Sequence, residues 1–113
     1  MTIIFEDFSP IFVGDTLTPF APVFQQINQT TGKLEPVNLT GLTMTMKMSS
    51  GPVTKTCTGP WVTDDAANGL AHYTYEAADV NTVGLWQMQI ALSDSSGDVA
   101  HTDMKLLEIQ TPL

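Results

Sequence analysis

The sequence contains no arginine, and its basic side chains are four lysines, Lys33, Lys47, Lys55 and Lys105. Twelve aspartate and glutamate residues give the chain a formal net charge of −8. Proteins that bind nucleic acids or anionic membranes need clustered cations to neutralise phosphate groups. We therefore expect neither nucleic acid nor a membrane surface among its partners.

Cysteine and long apolar runs are also scarce. Cys57 is the single cysteine, so the chain can form neither an intrachain disulfide nor a cysteine-rich zinc site. No stretch approaches the ~20 apolar residues of a membrane helix. The first residues lack the basic start and the apolar run of a signal peptide. We expect the protein to be made in a cytoplasm.

Charged residues make up 14% of the 113 residues, against about 25% in an ordinary soluble domain. The length fits one domain with its own core. The surface must therefore be built largely from Thr, Ser, Gln and Asn. Such surfaces are common in β-proteins and in proteins packed within assemblies.

Two segments alternate apolar and polar residues with the period of a β-strand, residues 42–50 and residues 85–92. Asn68-Gly69 and residues 93–98 are typical of the turns between antiparallel strands. The sequence therefore predicts an all-β protein with two antiparallel sheets, and at most one helical turn at residues 76–82. The predicted core consists of Leu42, Met44, Met46, Tyr73, Trp86, Met88 and Ile90.

Three other segments carry weaker signals. Prolines 19 and 22 exclude a central strand across residues 15–27, so we expect an edge strand or an extended ribbon there. Residues 62–69 have the composition of a loop. Between residues 99 and 109 the apolar residues change face, which indicates a bulge near Lys105 or Leu106.

Residues 1–13 are apolar without a regular period, and residues 14–113 form the predicted sandwich domain. The segment is either an edge strand that covers one end of the core or an arm that docks on a neighbouring subunit. If it is an arm, its removal leaves a folded domain that no longer assembles. The candidate interface residues are Ile3, Phe5, Phe8, Ile11 and Phe12.

No pattern in the sequence indicates catalysis. His72 and His101 lie in predicted strands, and neither has a carboxylate and a nucleophile at a recognisable spacing. There is no Gly-rich phosphate loop and no paired metal motif. We therefore predict no enzymatic activity, no catalytic residue and no cofactor.

Two groups of residues resemble metal ligands. Asp64, Asp65 and Asn68 carry oxygen ligands, but without the six-oxygen spacing of a calcium loop. The methionines of residues 42–50 could bind Cu(I) through their thioethers, yet methionine is foremost a core residue. We predict no metal site in either group.

Three aromatic residues leave a binding function open. Trp61 either caps one end of the sandwich or lies exposed for stacking on a ligand. Together with Tyr73 or Tyr75 it could form a platform for a sugar ring. A glycan-binding β-sandwich module, on a virion or cell surface, is therefore an alternative function.

Several short motifs resemble the N-terminal domain of phage upper baseplate proteins. The string LEPVNLTG at residues 34–41 is similar to the family's "pro-val-asp-leu-thr-gly" segment. NGLAHYTY at residues 68–75, AAD at 77–79 and GLWQ at 84–87 follow in the family's order, with Trp86 in place of its usual tyrosine. The likeness covers residues 14 to 109.

The resemblance implies an immunoglobulin-like antiparallel β-sandwich of about seven strands. It also implies a non-enzymatic structural component of a tailed-phage particle, made in the host cytoplasm and incorporated into the virion. Such modules often surround a three-fold axis, so the expected partners are copies of the chain, as a trimer, and other virion proteins. A position in the baseplate or tail and a role as head decoration both fit the sequence.

Overall fold

The computed structural model describes residues 3–6, 11–17 and 19–112, except the side chains of Glu6, Ile11 and Phe12. This part of the chain forms two sheets packed as a β-sandwich, as the sequence predicts. It contains eleven strands rather than about seven, because several are segments of only two to four residues. The strands are β1 (Ile3–Glu6), β2 (Ile11–Phe12), β3 (Val23–Ile27), β4 (Leu34–Pro36), β5 (Thr43–Ser50), β6 (Val53–Cys57), β7 (Trp61–Asp65), β8 (Leu70–Tyr73), β9 (Gly84–Ser93), β10 (Val99–His101) and β11 (Lys105–Gln110).

One sheet has five short strands in the order β1-β3-β8-β7, with β4 also paired to β3. Strand β3 therefore lies inside the sheet, and the prediction of an edge strand across residues 15–27 is wrong. The reason is that Pro19 and Pro22 precede β3, which begins at Val23. Neither proline interrupts the hydrogen bonds of the strand.

The other sheet has six strands in the order β2-β11-β9-β5-β6, with β10 also paired to β9. Strands β5 and β9 pair over seven residues, from Thr43 opposite Ser93 to Ser49 opposite Gln87. All pairs in this sheet are antiparallel except β2 with β11, which is parallel. The predicted alternation of both long strands is confirmed, because Met44, Met46, Met48, Trp86, Met88, Ile90 and Leu92 are all buried.

The core lies between the two sheets. All six buried or half-buried rings of the five-stranded side pack against one another, with centroids 5.2 Å apart for Trp61 and Tyr73 and 5.8 Å for Phe5 and Phe20. Methionine and aliphatic side chains of the six-stranded sheet face these rings. Of the predicted core residues only Leu42 is partly exposed, although it packs against the same cluster.

The turns hold one confirmed prediction and one correction. Residues 76–82 contain a single short 3-10 turn, η2 (Ala77–Val80), as expected. Residues 62–69 do not form a loop, because Val62 and Thr63 pair with His72 and Ala71 as part of β7. A second 3-10 turn, η1 (Ala66–Asn68), follows β7 and leads to β8.

The predicted change of face near Lys105 or Leu106 occurs slightly earlier in the chain. Strand β10 ends at His101 and β11 begins at Lys105. Between them the buried Thr102 hydroxyl accepts a hydrogen bond from the Ile90 N–H and donates one to the Asp103 carbonyl. The break therefore lies at residues 102–104, where the Thr102 hydroxyl, rather than a backbone carbonyl, accepts the hydrogen bond from the Ile90 N–H of β9.

The N-terminal segment contributes a strand to the five-stranded sheet. Strand β1 pairs with β3 along its whole length, and Ile3 and Phe5 are only 2% and 0% exposed. The expectation that these two side chains are open to a neighbouring subunit is therefore wrong, because they belong to the domain's own core. Ile11 and Phe12 form β2 beside β11, their side chains lie outside the described part, and Phe8 lies outside the described residues altogether.

In the described ranges, no helix is long and apolar enough to cross a membrane.

Candidate interaction surfaces

The histidines do not assemble a catalytic centre in the described residues. His72 Nδ1 lies 2.8 Å from Asp64 Oδ2 and 3.0 Å from Asp64 Oδ1 on the outer surface of the five-stranded sheet. His101 is exposed on β10. The two histidines belong to different sheets, so the structure does not bring them together.

The acidic residues near η1 do not converge on a common point. Asp64 contacts His72, whereas Asp65 Oδ2 accepts a hydrogen bond from Asn68 Nδ2 at 2.7 Å. Across residues 3–6, 11–17 and 19–112, no three side chains of His, Cys, Asp and Glu gather in a way that could hold a metal ion.

The three aromatic residues of the suggested sugar platform lie inside the domain. Tyr73 and Tyr75 are buried, and Trp61 is half-buried with its ring 6.3 Å from Phe20. The platform is therefore wrong for the two tyrosines, because their rings fill the space between the sheets. Of the three side chains on which the glycan-binding alternative rested, the half-buried Trp61 is the one that retains some exposure.

A buried hydrogen-bond cluster surrounds Asp79, which the sequence analysis did not single out. The Tyr73 hydroxyl donates to Asp79 Oδ2 at 2.6 Å and accepts from the Gly59 N–H at 2.8 Å. The Glu76 N–H also donates to Asp79 Oδ2, and the two carboxylates form a capping box around η2. Glutamate followed three residues later by aspartate, directly after a predicted strand, was the available sequence signal.

This environment keeps the Tyr73 hydroxyl and the Cys57 thiol protonated at neutral pH. Burial, followed by the hydrogen bond to Asp79, raises the pKa of Tyr73 above its ordinary value. Burial, followed by the negative charge of Asp79, raises the pKa of Cys57 to about 12. A thiol must ionise to act as a nucleophile. Cys57 is therefore a structural residue at neutral pH.

Lys55 fixes the corner that contains η2. Its Nζ lies 4.5 Å from the centroid of the Trp86 ring and donates to the Ala78 carbonyl and to Asn81 Oδ1. The Trp86 indole N–H donates to the Thr82 carbonyl at 3.1 Å. The polar groups of this corner are thus occupied by one another, and the arrangement serves structure rather than chemistry.

The outer surface of the five-stranded sheet is largely apolar, and we call it the apolar face. Cross-strand pairs place Val23 beside Leu70 and Ile27 beside Leu34, and Leu34 is 50% exposed. The contact between His72 Nδ1 and the Asp64 carboxylate lies at its β7 edge. The apolar side chains of this face are Ile4, Val23, Ile27, Leu34, Val62 and Leu70.

The outer surface of the six-stranded sheet is polar but almost uncharged, and we call it the neutral face. Lys47 and Glu108 are the only lysine, aspartate or glutamate among its described side chains. Threonine, serine and glutamine supply most of the rest. The strand positions that point outward are Thr43, Thr45, Lys47, Ser49, Thr54, Thr56, Leu85, Gln87, Gln89, Ala91, Ser93, Val99, His101, Leu106 and Glu108.

Comparison with known proteins gives a match in structure but not in sequence. No protein-family model and no curated protein matches the chain. The fold is similar to the N-terminal domain of phage TP901-1 ORF48, with a TM-score of 0.62 over 93% of this chain and 86% of that one. The identity is 17%, so the likeness shows a shared fold. At that level it confirms the resemblance that the sequence motifs indicated.

Proposed function

We propose that the chain is a non-enzymatic structural component of a tailed-phage particle. The observation that carries the proposal is the shared fold with a domain of a phage baseplate protein over 93% of the chain. The baseplate or tail is the position that this likeness favours over a role as head decoration. The chain is made in the host cytoplasm and becomes part of the virion.

The surfaces of the domain support a role in assembly. The polar groups of the clusters around Asp79 and Lys55 form hydrogen bonds within the domain itself. The apolar face, by contrast, leaves Val62 46% and Leu34 50% exposed at its two sides. Contiguous apolar surface of this kind marks protein–protein contacts. The proposed partners are other virion proteins and further copies of the chain.

The decisive experiment asks where the protein is found. Phage particles purified from the host that carries the gene are analysed by mass spectrometry and by immunogold electron microscopy with an antibody against the chain. We expect the chain in the particles and gold at the tail end. Particles that lack the chain, while the infected cells contain it, overturn the proposal.

A pair of variants tests the apolar face as the contact with another virion protein. Leu34→Asp changes the apolar face, and Ser95→Asp makes a change of equal charge at an exposed turn between β9 and β10, outside both faces. Each variant is supplied in trans to a phage whose own copy of the gene is deleted. We expect Leu34→Asp to reduce incorporation at least tenfold relative to Ser95→Asp. Equal incorporation of both variants means that another surface makes this contact.

A further inference from the structure

The neutral face is exceptional in a chain that carries a net charge of −8. Of the twelve acidic residues in the sequence only Glu108 points outward from the described strands of the six-stranded sheet, and Lys47 balances it. Two copies of an acidic protein repel each other through their net charge. Contact between copies is least opposed where the local charge is zero.

The two charges stand in a defined relation on this face. Lys47 lies beside Gln89, Glu108 lies beside Leu85, and Gln87 is between these two positions on β9. Lys47 and Glu108 therefore lie diagonally on opposite sides of Gln87, each one strand across and two residues along from it. Neither forms an ion pair with any residue that the structure describes.

This placement is self-complementary under a two-fold rotation. Strands lie about 4.8 Å apart, and residues on one face repeat about every 6.8 Å along a strand. Two copies can stack face to face about a two-fold axis that lies between their sheets and parallel to them. Where this axis passes above Gln87, perpendicular to the line from Lys47 to Glu108, it places Lys47 of each copy opposite Glu108 of the other. Isologous contacts of this kind are the commonest in homo-oligomers.

The same axis matches a protrusion to a depression. Leu85 is 55% exposed beside Glu108. A depression of about 200 Å³ lies on the other side of Gln87, and Lys47, Ser49 and Thr54 are among its lining residues. On the strand grid, the rotation that pairs Lys47 with Glu108 carries Leu85 of each copy over this depression in the other copy.

We propose that the neutral face binds a second copy of this chain, face to face, with reciprocal Lys47–Glu108 pairs and Leu85 in the depression. Strand β9 has ten residues at about 3.4 Å each, and the adjacent strands β11, β9, β5 and β6 lie about 4.8 Å apart, so the face measures on the order of 600 Å². A standard interface buries about 800 Å² per partner. The apolar face, whose strands have at most five residues, is smaller.

This pairing goes beyond the role in the particle and does not depend on it. It produces a dimer, whereas the resemblance to baseplate domains implies a trimer. The two states differ in molar mass by the 12.2 kDa of one chain. Sedimentation equilibrium of the full chain therefore separates them directly.

The test is a charge exchange followed by sedimentation equilibrium at neutral pH and low salt. Lys47→Glu and Glu108→Lys each place like charges opposite one another, and we expect each to raise the dimer dissociation constant at least tenfold. The double variant restores opposite charges, and we expect its constant within threefold of the wild type. Circular dichroism checks that all variants are folded.

Two comparisons separate this pairing from a general charge effect. Glu108→Lys reduces the net negative charge, so weaker association cannot result from stronger overall repulsion. Lys33→Glu makes the same charge change as Lys47→Glu at an exposed turn residue away from the face, and we expect it to associate like the wild type. A monomeric or trimeric wild type overturns the proposal, as does a double variant that fails to recover.

Discussion

The two sheets of the sandwich differ on both of their faces. The five-stranded sheet turns aromatic rings inward and keeps an apolar outer face, although none of its strands exceeds five residues. The six-stranded sheet turns mostly methionine and aliphatic side chains inward, together with Trp86, and a neutral polar face outward, on strands of up to ten residues. Sheets of one domain can thus differ in composition, one with apolar side chains on both of its faces and one with an apolar inner face and a polar outer face.

Strand length accounts for part of this difference. A short strand offers few ladder hydrogen bonds, and large rings add to its stabilisation because each buries about 150–250 Å². A long strand pairs over many residues and tolerates methionine, which adapts its shape to irregular space. The contrast between Phe5 or Phe24 and Met46 or Met48 follows this rule.

The largest expected effect comes from removal of β1. A chain without residues 1–6 lacks Ile3 and Phe5, two core side chains whose truncation alone costs about 2–5 kcal/mol each. Because a domain of this size has about 5–15 kcal/mol of stability in total, we expect the shortened chain to be unfolded at 25 °C by circular dichroism. A chain shortened by only two residues keeps β1 and serves as the control. If the shorter chain melts like the full one, the aromatic sheet does not depend on its edge strand.

The second effect tests the six-stranded sheet. Trp86→Ala removes the buried ring of β9 and the contact with Lys55, and we expect a loss of about 3–5 kcal/mol in urea unfolding. Leu85→Thr changes the adjacent outward position, and we expect it within about 0.5 kcal/mol of the wild type in dilute solution. Equal losses at the two positions contradict the assigned register, since a shift by one residue exchanges the faces.

A smaller effect concerns the junction between the sheets. Tyr73→Phe leaves the ring in place but removes the hydroxyl shared by Asp79 and Gly59, and we expect a loss of about 1–3 kcal/mol. Asp79→Asn in the same background should cost less than it does in the wild type, because the two groups act together. Additive losses in this cycle mean that the hydrogen bond contributes little.

The smallest effect comes from the ionisation of Cys57, which changes the free energy of unfolding only at alkaline pH. Its pKa is about 12 in the folded chain, whereas an unfolded thiol ionises near pH 9. The unfolded state therefore loses its proton first, and the free energy of unfolding falls as pH rises above 9. We expect a steeper fall between pH 8 and pH 10.5 for the wild type than for Cys57→Ala. Parallel curves contradict a buried neutral thiol.

The sequence predicts those parts of the fold that are encoded locally. Alternation in β5 and β9 needs only neighbouring residues, and the same holds for the turn residues around them. The inward positions of Met46 and Trp86 follow directly from that alternation. The sandwich and the single helical turn at residues 76–82 were predictable for the same reason.

Other parts depend on partners that are distant in sequence. Strand β1 is buried because it pairs with β3, about twenty residues further along the chain, and β7 forms because it pairs with β8. Nothing within residues 1–13 or 62–69 distinguishes these strands from an arm or a loop. The burial of Tyr73 and Tyr75 likewise requires both sheets, so the sequence could not decide between core and platform. Lys47 on β5 and Glu108 on β11 lie diagonally across β9, and this placement follows only from the order of the strands in the sheet.

Strand β6 at the margin of the six-stranded sheet has a consequence for crowded solutions. A free edge offers unpaired N–H and carbonyl groups to any extended chain, and proteins at high concentration polymerise through such edges. Lys55 points from this edge into the sandwich, where Trp86 and the corner carbonyl of Ala78 hold it. A strand added beside β6 would have to cover that ammonium group without a new counter-ion. An inward lysine of this kind is one of the devices that keep a sheet edge from open-ended pairing.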